Sequence, residues 1–134
     1  MKNNQILIAL GVVAALVAAY FFIYKKQPSK TAKDIKQQLT GYDKFRAYLK
    51  ETLAPEQLRK FREWKLLIEG YSSSDPEAYE RWMKGAKDEA KTYNIPEEVG
   101  LDRGLLWQMT QGENKTLPGD LWQQIHVDSI YLYR

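Results

Sequence analysis

Nineteen consecutive residues, Ile6 to Tyr24, contain no charge and no side-chain amide. Coiled as an α-helix at 1.5 Å per residue they extend about 28 Å, the thickness of a bilayer's hydrocarbon core. A helix satisfies every backbone polar group internally, which is the condition for crossing that core. Tyr20, Phe21, Phe22 and Tyr24 gather at one end, where aromatic rings favour the headgroup level, and Lys25 and Lys26 close the run. Gly11, Ala14, Ala15 and Ala18 form a small-residue face suited to packing against another membrane helix. The expectation is a single transmembrane helix.

A secretory signal is the competing reading, with Lys2 in the n-region, Ile6 to Leu16 as the apolar region and cleavage near Ala19. Hydrophobicity does not fall after Ala19 but continues through Tyr-Phe-Phe-Ile-Tyr, which favours an anchor that stays. The expected division is a leader at 1–5, the span at 6–24, a basic linker at 25–30 and a small helical domain at 31–134 with a C-terminal tail that can be extended. Lys25, Lys26, Lys30, Lys33 and Lys36 follow the span, whereas Lys2 precedes it. The positive-inside rule therefore places the domain on the cytoplasmic or vesicle-interior side.

Charge is graded along the chain. Residues 30–65 hold ten Lys/Arg and five Asp/Glu, a net +5; residues 66–134 hold seven and twelve, a net −5. A basic part next to the span suits a domain standing on anionic lipid. With no cysteine and the single histidine His126, disulfides, thiolate metal sites, cysteine nucleophiles and two-histidine sites are excluded. No cofactor is implied.

The rest of the chain reads as four or five short helices, a mainly α fold. Thr31 with Asp34 is a capping pair, and Ile35, Leu39, Tyr42, Phe45, Leu49 and Leu53 follow at helical spacing as one stripe. Pro55 opens a second helix through Phe61, Trp64 and Ile68, with Gly70 as its stop. Ser74 or Asp75 caps a third that has Pro76 in its first turn and a stripe from Tyr79 to Tyr93. Leu101 to Met109 suggests a fourth, ending near Gly112; Asp120 can cap a last turn or two before an alternating tail from Ser129 to Arg134.

Four Trp, seven Tyr and two Phe follow residue 30, enough to build most of a small core. Trp122, Tyr131 and Tyr133 are candidates for a partner surface, because aromatic residues dominate interface hot spots. Lys60 to Lys65 interleaves cations with rings, but helical geometry separates Phe61 and Trp64 from Lys60 and Glu63, so nucleic-acid binding is not expected. His126 has only Asp120 and Asp128 nearby in sequence as orienting carboxylates, and Gly100 and Gly104 form no phosphate loop.

Tyr93 to Pro96 followed by Trp107 to Asn114 resembles the opening of lysozyme-like lytic transglycosylases over some twenty residues. The resemblance implies a general acid at the position of Met109, which cannot donate a proton, and leaves Glu113 as a displaced substitute. No catalytic constellation and no small-molecule substrate are evident. The sequence is thus expected to encode a membrane-anchored structural or interaction protein, an accessory subunit or tether whose partners are the bilayer and other proteins. Its setting would be a bacterial membrane complex or the membrane of a lipid-containing virion.

Overall fold

A computed structural model describes residues 28–113 and 115–134. The expected span at 6–24, with its expected interfacial residues Tyr20, Phe21, Phe22, Tyr24, Lys25 and Lys26 and its Gly11/Ala14/Ala15/Ala18 face, lies outside the described residues. Among the described residues no helix is long and apolar enough to cross a membrane.

These residues are mainly α, with six helices where four or five were expected, and no strand among them. They are α1 (Lys30–Gln38), α2 (Gly41–Thr52), α3 (Pro55–Ser74), α4 (Pro76–Tyr93), α5 (Glu97–Gln108) and α6 (Gly119–Leu132). The stripe from Ile35 to Leu53 is two helices rather than one. Leu39 and Thr40 are extended, and Gly41 starts α2 at φ +60°, a conformation open to glycine at little steric cost. Ile35 and Phe45 thereby reach one core from two directions.

Caps account for several boundaries. Ser29, not Thr31, caps α1, its Oγ accepting from the Ala32 amide at 3.2 Å. Pro55 sits in the first turn of α3, where Gln57 Oε1 accepts from the Ala54 amide at 2.8 Å. Gly70 does not stop α3; the helix runs a further turn to Ser74, and the hydroxyls of Ser72 and Ser74 donate to carbonyls of the preceding turn. Asp75 both ends α3 and caps α4, accepting from the Ala78 amide, with Pro76 in the first turn as expected. Asn94 then closes α4 in the left-handed region at φ 56°.

The tail is helical, correcting the expectation of a strand or an arm. Helix α6 continues to Leu132, which is fully buried, and Asp120 is a first-turn residue rather than its cap. The alternation in Ser-Ile-Tyr-Leu-Tyr does not mark a strand: Ser129 and Leu132 are buried three residues apart, a helical spacing, and Ile130 and Tyr131 between them are half-buried.

Helix α5 is the hub. It packs against α2, α3, α4 and α6, and its contact with α4 is the most extensive pairing in the domain. Burial on several sides explains its lack of a single apolar stripe: Val99, Leu105 and Leu106 are buried, but so are Asp102 and Arg103. Two ionisable groups inside a small helical domain demand partners, and those partners organise its polar chemistry.

Candidate functional site

The pairing of α4 with α5 begins at Gly100. A Cβ there would lie 2.3 Å from the Ala86 carbonyl oxygen, so only glycine permits this approach. One turn later Gly104 faces the Trp82 ring. The spacing Gly100-x-x-x-Gly104 sets both on one face of α5, and the close crossing leaves a groove beside it.

That groove has a volume of about 410 Å³. Its floor is made by Gly85, Ala86, Gly100 and Gly104, and its walls by Trp82, Leu101, Trp107 and Trp122. Trp107 is 45 % exposed, an unusual situation for so large an apolar ring. Arg81 and Glu89 stand at the lip. Toward α6 the groove continues into a polar recess of about 290 Å³ that adds Tyr93, Gln123 and His126.

Arg103 is the post between the two parts. Its guanidinium lies between the Tyr93 ring, 4.7 Å from the centroid, and the Trp122 ring at 5.5 Å. Its Nε donates to Glu89 at 3.1 Å, Nη1 to Ser129 Oγ and to the His126 carbonyl, and Nη2 to His126 Nδ1 at 2.8 Å. Since arginine only donates, His126 Nδ1 accepts, which places the proton of the neutral ring on Nε2. Burial, and then the neighbouring Arg103 charge, hold the His126 pKa below its ordinary value. With its donors engaged within the chain, Arg103 is a brace that holds Trp122 in the groove wall rather than an anion receptor.

Two further buried carboxylates brace the other helices. Tyr42 donates to Asp102 Oδ2 at 2.5 Å, and the Lys65 ammonium stands 3.0 Å from Oδ1. Burial pushes the Asp102 carboxyl upward against the opposing pull of Lys65 and the Tyr42 hydrogen bond. Tyr48 donates to Asp128 Oδ2 at 2.5 Å, joined by Gln124 Nε2 at 2.9 Å and, more distantly, Ser29 Oγ. Both tyrosine hydroxyls are held well above their ordinary range, first by burial and then by the adjacent carboxylate. Such pairs lock helices together, and a tyrosine kept protonated in this way is a poor base.

Of the three aromatics singled out from sequence, Trp122 is in the groove wall. The other two lie elsewhere: the Tyr131 ring sits beneath the Lys36 ammonium at 4.1 Å, and Tyr133 donates to the Gly41 carbonyl at 2.6 Å. Burial raises the Tyr133 hydroxyl to about 12. His126 accepts from Arg103, and the Glu89 charge acts on it from nearby. Met109 is buried, and its carbonyl accepts the Thr116 and Leu117 amides, closing the loop after α5; Glu113 is exposed on that loop. No group of three His, Asp or Glu side chains arranged to hold a metal occurs among the described residues.

Sequence reasoning missed Trp82, Trp107 and Arg103 as one site. The available signal was the Gly100/Gly104 spacing, read as isolated glycines but in fact the mark of a close helix crossing. In comparisons with known proteins, no family model, no curated protein and no solved structure matches the chain.

Proposed function

We propose that the chain is a single-pass membrane protein whose helical domain serves structure and interaction, as an accessory subunit or tether of a larger membrane-associated assembly. The observation that carries this reading is the nineteen-residue uncharged run ending at Tyr24, followed within six residues by the first helix of a packed domain at Lys30. The lysines after the run favour the domain on the cytoplasmic or vesicle-interior side. A bacterial membrane complex and the membrane of a lipid-containing virion are both compatible settings.

The tryptophan groove supports the interaction half of the reading. Its rigid, mostly apolar walls suit an apolar or aromatic anchor side chain from a partner protein, as hot-spot pockets do. A hydrolase would need Glu113 as its acid, and that residue stands on an exposed loop beyond the buried Met109.

Membrane extraction tests the anchor: the full chain is expected to stay in the pellet in alkaline carbonate and high salt and to dissolve in detergent. A monodisperse full-length chain in detergent-free buffer would refute it. Partner docking is tested by Trp107→Ala, which is expected to remove a specific co-purifying protein from mild detergent extracts without lowering the melting temperature.

A further inference from the structure

A second groove, of about 380 Å³, runs between α2 and α3, and its chemistry is unlike that of the first. Leu49, Leu58 and Phe61 contribute apolar lining, while Arg46, Lys50 and Arg62 supply cations. Lys65 also lines it but is committed to Asp102. Among the described residues, Arg46, Lys50 and Arg62 have no ion pair, and Glu69 is the acid on the lip. Beside these cations Leu66, which also lines the groove, is 68 % exposed. Helix α3 has apolar residues at Phe61, Trp64, Leu66, Leu67 and Ile68, and one inward face cannot cover them all.

We propose that this α2–α3 face is the surface on which the domain rests against an anionic bilayer. Lipid phosphates sit among Arg46, Lys50 and Arg62, and Leu66 enters the acyl boundary. The inference rests on the anchored reading above and deepens it by naming the face that meets the lipid. Three observations select a lipid surface as the occupant. The unpaired cations match anionic headgroups. An exposed leucine next to them gives the mixed basic and apolar character of interfacial segments. The uncharged run at 6–24 ends shortly before the described residues, so under the anchored reading a short linker keeps the domain close to the bilayer. At the tryptophan groove Arg103 is committed to Glu89, which leaves Arg81 as its one other lining cation, against three at the α2–α3 groove.

The chain has no cysteine, so a single introduced thiol reports one position cleanly. Gly70 is exposed one turn beyond Leu66, and a side chain there meets nothing within 4 Å. The full chain bearing Gly70→Cys, labelled with an environment-sensitive fluorophore, is placed in phosphatidylcholine nanodiscs with and without phosphatidylserine. Lys84→Cys, on the exposed side of α4, is the control.

Phosphatidylserine is expected to blue-shift the Gly70→Cys emission and to shield it from aqueous acrylamide, with no change at Lys84→Cys. Salt at 1 M, where the Debye length is about 3 Å, should reverse the shift while the chain stays embedded. Arg46→Glu with Arg62→Glu should abolish it, and Leu66→Ser should weaken it. An embedded chain whose Gly70→Cys label is equally quenched in both discs would overturn the proposal and leave the anchor intact. Shielding that appears only when an acidic protein is added would overturn it too. If the chain fails to embed, the anchor falls; the same label is then read on phosphatidylserine vesicles added in solution, where shielding upholds the lipid face and its absence rejects it.

Discussion

Ala86 and Gly100 meet so closely that an added methyl group decides whether α4 and α5 can pack. Gly100→Ala would force the helix backbones apart and is expected to cost about 1–3 kcal/mol, seen as a lowered melting temperature. Gly85 is on the same groove floor, but a Cβ there has no atom within 4 Å. Gly85→Ala should therefore stabilise α4 by up to about 1 kcal/mol, since alanine is the better helix former. Tyr48→Phe removes the hydroxyl that serves the buried Asp128 carboxylate and should cost about 1–3 kcal/mol. His126 gives a pH dependence with a definite sign. Its pKa is lowered in the folded domain from an ordinary 6.5, so the unfolded chain binds the proton more readily. Stability is retained above the unfolded value and is lost as pH falls below 6.5 toward the folded value. Thermal melts between pH 8 and pH 5 are expected to show this loss, and His126→Gln should flatten it. The raised Asp102 pKa acts in the opposite sense, stabilising the fold as pH falls, so the difference between native chain and variant isolates the histidine.

At the scale of elements, the boundaries most legible in the sequence were those written in local chemistry. The start of α4 was legible to within one residue, with Ser74 and Asp75 both candidate caps and Asp75 the one that caps, because a side-chain cap and a fixed proline φ act within one turn. Asp75→Ala should cost about 1 kcal/mol in chemical denaturation, the value of a lost N-cap. Gly70 was misread as a stop, since glycine weakens a helix without ending one when the next turn finds hydrogen bonds. The break at Leu39–Gly41 was hidden because the apolar spacing continues across it; the kink serves packing between helices rather than any local rule. Gly41→Ala, which places a Cβ at φ +60°, should destabilise the corner by about 1–2 kcal/mol, measured by the same denaturation. The tail from Ser129 was legible only as a pattern, and a few alternating residues fit a helix that is covered on two sides as well as they fit a strand.

For the whole molecule, the charge gradient in the sequence becomes a difference between faces. Arg46, Lys50 and Arg62, with no ion pair among the described residues, gather around the α2–α3 groove, whereas at the tryptophan groove Glu89 is paired with Arg103. Under the proposed function this gives one face toward lipid and another toward a protein partner. The two should respond differently to ionic strength: at high salt the lipid face releases, while an apolar docking event at Trp107 persists. Trp107 fluorescence would not separate these in a chain with four tryptophans, so the cysteine label and partner retention are the measurements to pair.

The sequence by itself determined the uncharged run at 6–24, the helical class and the turn before Pro76, because hydropathy, proline geometry and caps operate over a few residues. Only the tertiary structure decided which charges are buried and which aromatics share a wall. Asp102 and Asp128 receive tyrosine hydroxyls from 60 and 80 residues away, and Arg103 reaches His126 across 23. No local pattern encodes such partners. They are selected when the glycine-lined crossing of α4 and α5 brings distant side chains into a core where an unpaired charge would be too costly to keep.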